Sequence, residues 1–145
     1  MSKDKITIIV PCHNEQEVLP FFLEAVEKVY AKMNSEYGVE FEYMFVDDGS
    51  KDKTLSILKN IADNDKCVKI ISFSRNFGHQ AAVTAGIKYV TGDAVVIMDA
   101  DLQDPPELIP DMLKLWEEGN EVIYGKRKTR KGESAFKLLT AKMFY

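Results

Sequence analysis

Short apolar runs closed by polar clusters alternate along this chain with longer stretches in which apolar residues recur every three or four positions. Ile6-Thr7-Ile8-Ile9-Val10 is short, β-branched and stopped by Pro11, which predicts a buried strand ending in a turn. Val18, Leu19, Phe22, Val26, Val29 and Tyr30 then fall at helical spacing, predicting a helix over 15–30 with Asn14 as its N-cap. Phe41 to Val46 reads as a second strand closed by Asp47-Asp48-Gly49-Ser50, and Leu55, Ile57, Leu58 and Ile61 mark a helix from Asp52 or Lys53 to Asn64. The pattern continues with a strand over 68–73, a small-residue helix over 80–90 and a strand over 94–98. A helix over 107–118 follows Asp104-Pro105-Pro106, because proline is tolerated in a first turn, and Val122-Ile123-Tyr124 predicts a fifth short strand. Strands alternating with helices predict an α/β fold, a mostly parallel sheet with helices on both faces, as one domain over residues 1–125.

Such sheets bind ligands beyond the carboxyl ends of their strands, and this chain places its polar clusters there. Pro11-Cys12-His13-Asn14-Glu15 follows the first strand, Asp47-Asp48 the second, Ser74-Arg75-Asn76 the third and Asp99-Ala100-Asp101 the fourth. Packing gives no reason for four such clusters on one rim, so a functional crevice is the preferred reading. Within Asp99-Ala100-Asp101-Leu102-Gln103, an extended backbone would turn Asp99, Asp101 and Gln103 to one face. Two carboxylates and an amide oxygen suit Mg²⁺ or Mn²⁺ and leave coordination positions for water and a substrate phosphate. A solvated acidic turn is the plain alternative. Asp48 can accept from a base N–H or a ribose hydroxyl, or simply form the turn in Asp-Gly-Ser. His79 reads as a surface or capping residue, and Cys12 as a small strand-end hydrophobe.

The chain's 145 residues are 46% apolar and 29% charged, the profile of one globular domain able to build a core without metal or disulfide. Two separated cysteines point to a reducing compartment, and no apolar run approaches the roughly 18 residues of a membrane span. Met1–Lys5 is too charged to open a signal peptide. A disulfide-stapled toxin, a membrane channel and a zinc ribbon are excluded. No G-x-G-x-x-G follows a strand and no G-x-x-x-x-G-K-[ST] occurs, which excludes a dinucleotide-type site and a P-loop. The net charge of −4 hides an asymmetry: residues 126–145 carry +6 and the preceding chain −10. A basic tail of this kind meets a membrane surface, a phosphate or nucleic acid, or is only a solvated helix face.

Four stretches carry a family resemblance: Val10-Pro11-Cys12-His13-Asn14-Glu15, the run Val46-Asp47-Asp48-Gly49-Ser50 continuing to Thr54, Arg75-Asn76-Phe77-Gly78, and Met98-Asp99-Ala100-Asp101-Leu102-Gln103-Asp104-Pro105-Pro106-Glu107. In this order they resemble family-two glycosyltransferases with the GT-A fold. More narrowly, they are similar to the polyprenyl-phosphate group of bactoprenol glucosyltransferase and dolichol-phosphate mannose synthase. The resemblance implies that Pro11, His13, Glu15, Val46 and Asp48 hold the nucleotide, together with Asp99, Ala100 and Asp101. It assigns the metal, Mg²⁺ or Mn²⁺, and the diphosphate to Asp99, Asp101 and Gln103. Arg127 matches an arginine that reaches a donor or acceptor phosphate, which makes Asp99, Asp101 and Arg127 the expected catalytic group. The family usually has Tyr where this chain has His13.

The activity so implied is inverting transfer of a sugar from a nucleoside diphosphate sugar, UDP-linked in preference to GDP-linked, to a polyprenyl phosphate. The implied location is the cytoplasmic face of the membrane, with no nucleic acid partner and with self-association open. Residues 126–145 would be a basic, amphipathic juxtamembrane segment, and the stop at Tyr145, inside what resembles a first interfacial helix, implies a longer natural protein. A related enzyme acting on a sugar hydroxyl, a DxD phosphohydrolase and a receiver-like module remain as rivals. The acidic pairs of the last two follow the first strand of their folds, whereas here they follow the second and fourth.

Overall fold

The computed structural model describes residues 4–126, so Arg127 and the basic segment after it lie outside the described residues. Strands β1 (Lys5–Cys12), β2 (Glu40–Asp47), β3 (Val68–Ser72) and β4 (Ala94–Ile97) alternate with helices α1 (Leu19–Tyr37), α2 (Thr54–Asn64) and α3 (His79–Lys88). A 3₁₀ turn at Pro106–Leu108 leads into α4 (Ile109–Glu117). The chain divides into two units after Asp111, and the sheet with α1–α3 lies in the first.

All strand pairs are parallel and their order is β3-β2-β1-β4. The chain steps outward from β1 to β3 and then returns to the other side of β1. The order therefore reverses between β1 and β4, where open α/β sheets form their ligand crevice. Helices cover both faces, as the sequence predicts. Phe22 of α1 meets Phe45 edge-on at 6.4 Å, and Tyr30 meets Phe41 at 5.1 Å. On the alternate positions, Ile9, Met44 and Val46 form a buried cluster with Ala82 of α3. Gly86 lets α3 lie close, since a Cβ there would stand 2.7 Å from Ile9 Cγ2.

Three expectations need correction. The first helix does not begin at residue 15 with Asn14 as cap. Asn14 takes a left-handed φ of 52°, its Oδ1 accepts the Lys51 N–H, and a turn precedes Leu19. Helix α1 also runs on to Tyr37, because Met33 extends the buried stripe of Leu19, Phe22, Val26 and Val29. Gly38, with φ 67°, then ends it by donating its N–H to the Asn34 carbonyl. The third correction concerns 122–124, which forms no strand: Val122 and Tyr124 are 83% and 82% exposed, and no strand among the described residues pairs with the segment. A β-branched run makes a strand only where a sheet edge receives it.

At the amino end of the sheet, Glu42 is buried beside its register neighbour Thr7. It accepts from the hydroxyls of Thr7 at 2.7 Å and Thr91 at 3.0 Å, and pairs with Lys69 and Lys5. Burial by itself would raise its pKa, but the hydrogen bonds from Lys69, Thr7 and Thr91 outweigh it and hold the carboxyl at about 2 against an ordinary 4.5. A depressed carboxylate stabilises the fold fully above its unfolded pKa and ceases to as pH falls through the folded one. Glu42→Gln is therefore expected to cost about 2–3 kcal/mol in urea unfolding at neutral pH. It should also flatten the loss of stability between pH 4.5 and about 2. Unaltered unfolding curves would contradict this role.

Gly49, at φ +65°, sits where a Cβ would lie 2.3 Å from the Arg75 carbonyl carbon and 2.4 Å from the Asn76 nitrogen. Backbone cannot swing aside as a side chain can. Gly49→Ala is expected to lower stability by more than about 1 kcal/mol. Its amide shift changes in a heteronuclear spectrum should concentrate at 74–79; unchanged stability with shifts confined to neighbours in sequence would oppose this packing.

Candidate functional site

The segments leaving β1, β2 and β3 are stitched together by hydrogen bonds that their own short polar residues provide. Asn14 N–H donates to Ser50 Oγ at 2.9 Å, and Glu15 N–H to Thr54 Oγ1 at 2.8 Å. Lys53 N–H in turn donates to Gln16 Oε1 at 3.0 Å. Asp48 does more. The residue is 4% exposed, and its carboxylate accepts the N–H of Phe77 through Oδ1 at 2.7 Å and that of Gly78 through Oδ2 at 3.1 Å. Its carbonyl accepts from His13 at 2.8 Å, which makes Nδ1 the protonated nitrogen and leaves Nε2 to accept from the Asn14 amide at 3.3 Å.

Around these bonds lies a cavity of about 440 Å³ lined by Pro11, Cys12, His13, Glu15, Asp48 and Asn76, with Gly78, His79, Asp99 and Asp101 completing it. Its size is that of an ordinary small-ligand pocket. Of the residues expected to form a site, Pro11, His13, Glu15, Asp48, Asp99 and Asp101 are brought together. Val46 and Ala100 are fully buried and line no part of it, so what they can offer a ligand is backbone. Gln103 is exposed and is not among the lining residues.

The segment after β4 is turned, not extended as the sequence suggested. Leu102 has φ 61°, and Asp101 Oδ1 accepts the Gln103 N–H at 3.1 Å, an Asx turn. Asp99 and Asp101 nonetheless reach one cavity. His79 Nε2 lies 2.9 Å from Asp99 Oδ1, a partnership that spacing along the chain does not reveal. The sequence offered only its place near a helix start, which reads equally as a surface or capping residue.

Negative charge accumulates here. The Glu15 carboxyl is pushed above its ordinary range by burial and then by Asp101, Asp99 and Asp52, with His13 opposing. Asp47 is buried, and one of its oxygens has no hydrogen bond among the described residues. Burial first, then Glu15, Asp47 and Asp99, push the Cys12 thiol far up, so it stays protonated and is no nucleophile. Among the described residues no group of three or more His, Cys, Asp and Glu side chains is assembled to hold a metal. What the cavity presents is a pair of exposed or half-exposed carboxylates, Asp99 and Asp101. That donor set fits a hard cation whose remaining ligands are water and substrate phosphate.

The chain is 50% identical over 139 residues to the uncharacterized glycosyltransferase YkcC of Bacillus subtilis, covering 96% of this chain and 42% of the relative. It is 40% identical over 141 residues to the bactoprenol glucosyl transferase of Shigella phage SfX, covering 97% of this chain and 45% of that protein. The chain thus spans less than half the length of these relatives. A mannosyltransferase of Pyrobaculum calidifontis, solved with GDP-Man and Mn²⁺, has the same fold at a TM-score of 0.65 and 22% identity, over 85% of this chain and 34% of that one. The glycosyl transferase family 2 model matches residues 7–143. With that match the phosphohydrolase and receiver readings fall: a parallel sheet of order 3-2-1-4, with its acidic pair after the fourth strand, belongs in this chain to a member of glycosyl transferase family 2.

Proposed function

We propose that this chain is the nucleotide-sugar-binding part of an inverting glycosyltransferase that moves a hexose from a nucleoside diphosphate, UDP before GDP, to a polyprenyl phosphate. The observation that carries the reading is the acidic pair Asp99 and Asp101 meeting His13, Glu15 and Asp48 in one cavity at the point where strand order reverses. Family membership supports the transfer of a sugar, and the name of the phage relative supports the lipid carrier.

In this reading Pro11, His13, Glu15, Asp48 and the backbones of Val46 and Ala100 surround the nucleoside end. Asp99 and Asp101 would hold the cation, and Gln103, whose N–H is taken by Asp101 in the Asx turn, is left out of the ligand set. When bound, Mg²⁺ or Mn²⁺ supplies positive charge to the departing diphosphate. The chain's own carboxylates orient the donor by fixing where that charge sits, and their excess negative charge disfavours a bare diphosphate. The acceptor needs no strong base, because a phosphate monoester with a second pKa near about 6 is already largely dianionic at neutral pH. Arg127 would meet a phosphate of donor or acceptor, and it is the second residue of the basic segment that follows the core of residues 1–125.

Asp101→Asn tests the donor site. Calorimetry with UDP, and separately with GDP, in the presence of Mn²⁺ is expected to show binding weakened a hundredfold or more, a loss of about 3 kcal/mol. Unchanged affinity in a folded variant would overturn the assignment.

The segment 126–145 is proposed to lie on the cytoplasmic face of the membrane. Were the segment helical, the spacing of Ala135, Phe136, Leu138, Leu139, Met143 and Phe144 would put much of this set in an apolar stripe beside Lys137 and Lys142. Each basic side chain near an anionic surface is worth about 1 kcal/mol, less as salt shortens the Debye length. The chain should co-sediment with vesicles rich in phosphatidylglycerol at low salt, release them at high salt, and lose them when 126–145 is deleted. Equal sedimentation with and without the segment would contradict a membrane role for it.

A further inference from the structure

We propose that His79 is a positioning residue for Asp99: it holds one carboxylate oxygen so that the other faces the cation. The inference rests on the reading of Asp99 as a metal ligand. A bond between two exposed side chains is ordinarily transient, and His79 and Asp99 are 60% and 49% exposed. Here both partners stand on anchored backbone. His79 is the first residue of α3, and the Gly78 before it donates its N–H to Asp48 at 3.1 Å. The Gly78 carbonyl accepts the Ala82 N–H at 3.1 Å, which fixes the first turn. Asp99 lies between Met98 and Ala100, 4% and 0% exposed, so its Cα is held from both sides.

A carboxylate only accepts, so the His79 nitrogen 2.9 Å from Asp99 Oδ1 carries the proton. Asp101 repeats the arrangement, its Oδ1 taking the Gln103 N–H. Among the described residues each carboxylate thus has one oxygen engaged by a donor and the other available. Outer hydrogen bonds of this kind orient metal-ligating carboxylates, and losing one typically weakens metal binding 10–100-fold. Through the Gly78–His79 backbone the arrangement reaches back to Asp48 and His13, so hydrogen bonds and one covalent link tie the nucleoside end to the cation end.

The test is Mn²⁺ affinity of the whole chain, read from the free-ion paramagnetic resonance signal with the metal alone and with UDP. His79→Ala is expected to weaken Mn²⁺ binding about tenfold or more. His79→Gln, whose amide nitrogen overlays Nε2, should restore it to within about threefold of the parent. Unchanged or tighter binding in the Ala variant overturns the inference, the latter by making His79 a competitor for Asp99. Equal loss in the Ala and Gln variants overturns it too, by making the imidazole itself a ligand. Asp99→Asn separates this from the underlying reading. If that variant also binds Mn²⁺ normally, the proposed cation site falls; if it loses Mn²⁺ while His79→Ala does not, only the role of His79 falls.

Discussion

A carboxylate removed from water needs donors, and at the carboxyl end of β2 the donors within reach of Asp48 are backbone N–H groups of the loop that follows β3. Accepting from Phe77 and Gly78 pulls that loop across the end of the sheet. The neighbouring Gly49 accommodates the approach because it has no Cβ to strike the Arg75 and Asn76 backbone. Helix α3 then starts where His79 can reach Asp99, and the cavity closes around the residues that follow β1 and β4. The same strand begins with another buried carboxylate, Glu42, satisfied by hydroxyls and lysines instead. One end of β2 is thereby a structural clamp with every oxygen engaged, and the other faces a cavity where negative charge is left in surplus.

The sheet was legible because its strands are short, apolar and nearly continuous, as strands buried on both faces must be. Ile6 to Val10 and Phe41 to Val46 announced themselves, and the turn residues after them fixed where the chain leaves the sheet. Boundaries that depend on cross-chain bonds were not legible. Asn14 looks like a helix cap in sequence, yet its side chain serves Lys51, thirty-seven residues away. Val122 to Tyr124 has the composition of a strand, but composition cannot supply an edge to pair with.

The site was legible as position more than as geometry. Ligand crevices form at strand ends, so His13, Glu15, Asp48, Asp99 and Asp101 could be named together before any coordinate. The alternation of an extended chain was the wrong guide beyond Asp99, since the positive φ of Leu102 and the Asx turn at Asp101 redirect the backbone. His79 carried no signal in its spacing to Asp99, twenty residues on, because a helix and a strand intervene. Its part emerges only when Asp48 is seen to set the helix start.

The proposed site at the strand-order reversal would take a divalent cation and a nucleoside diphosphate together. Paramagnetic broadening by substoichiometric Mn²⁺ in an amide spectrum of the isotopically labelled chain locates the ion directly. With UDP present, signals of 12–15, 77–80 and 98–103 are expected to vanish first while those around Glu42 at the far end of the sheet persist. Broadening spread over the acidic surface of Asp63 and Asp65, indifferent to the nucleotide, would contradict a shared site.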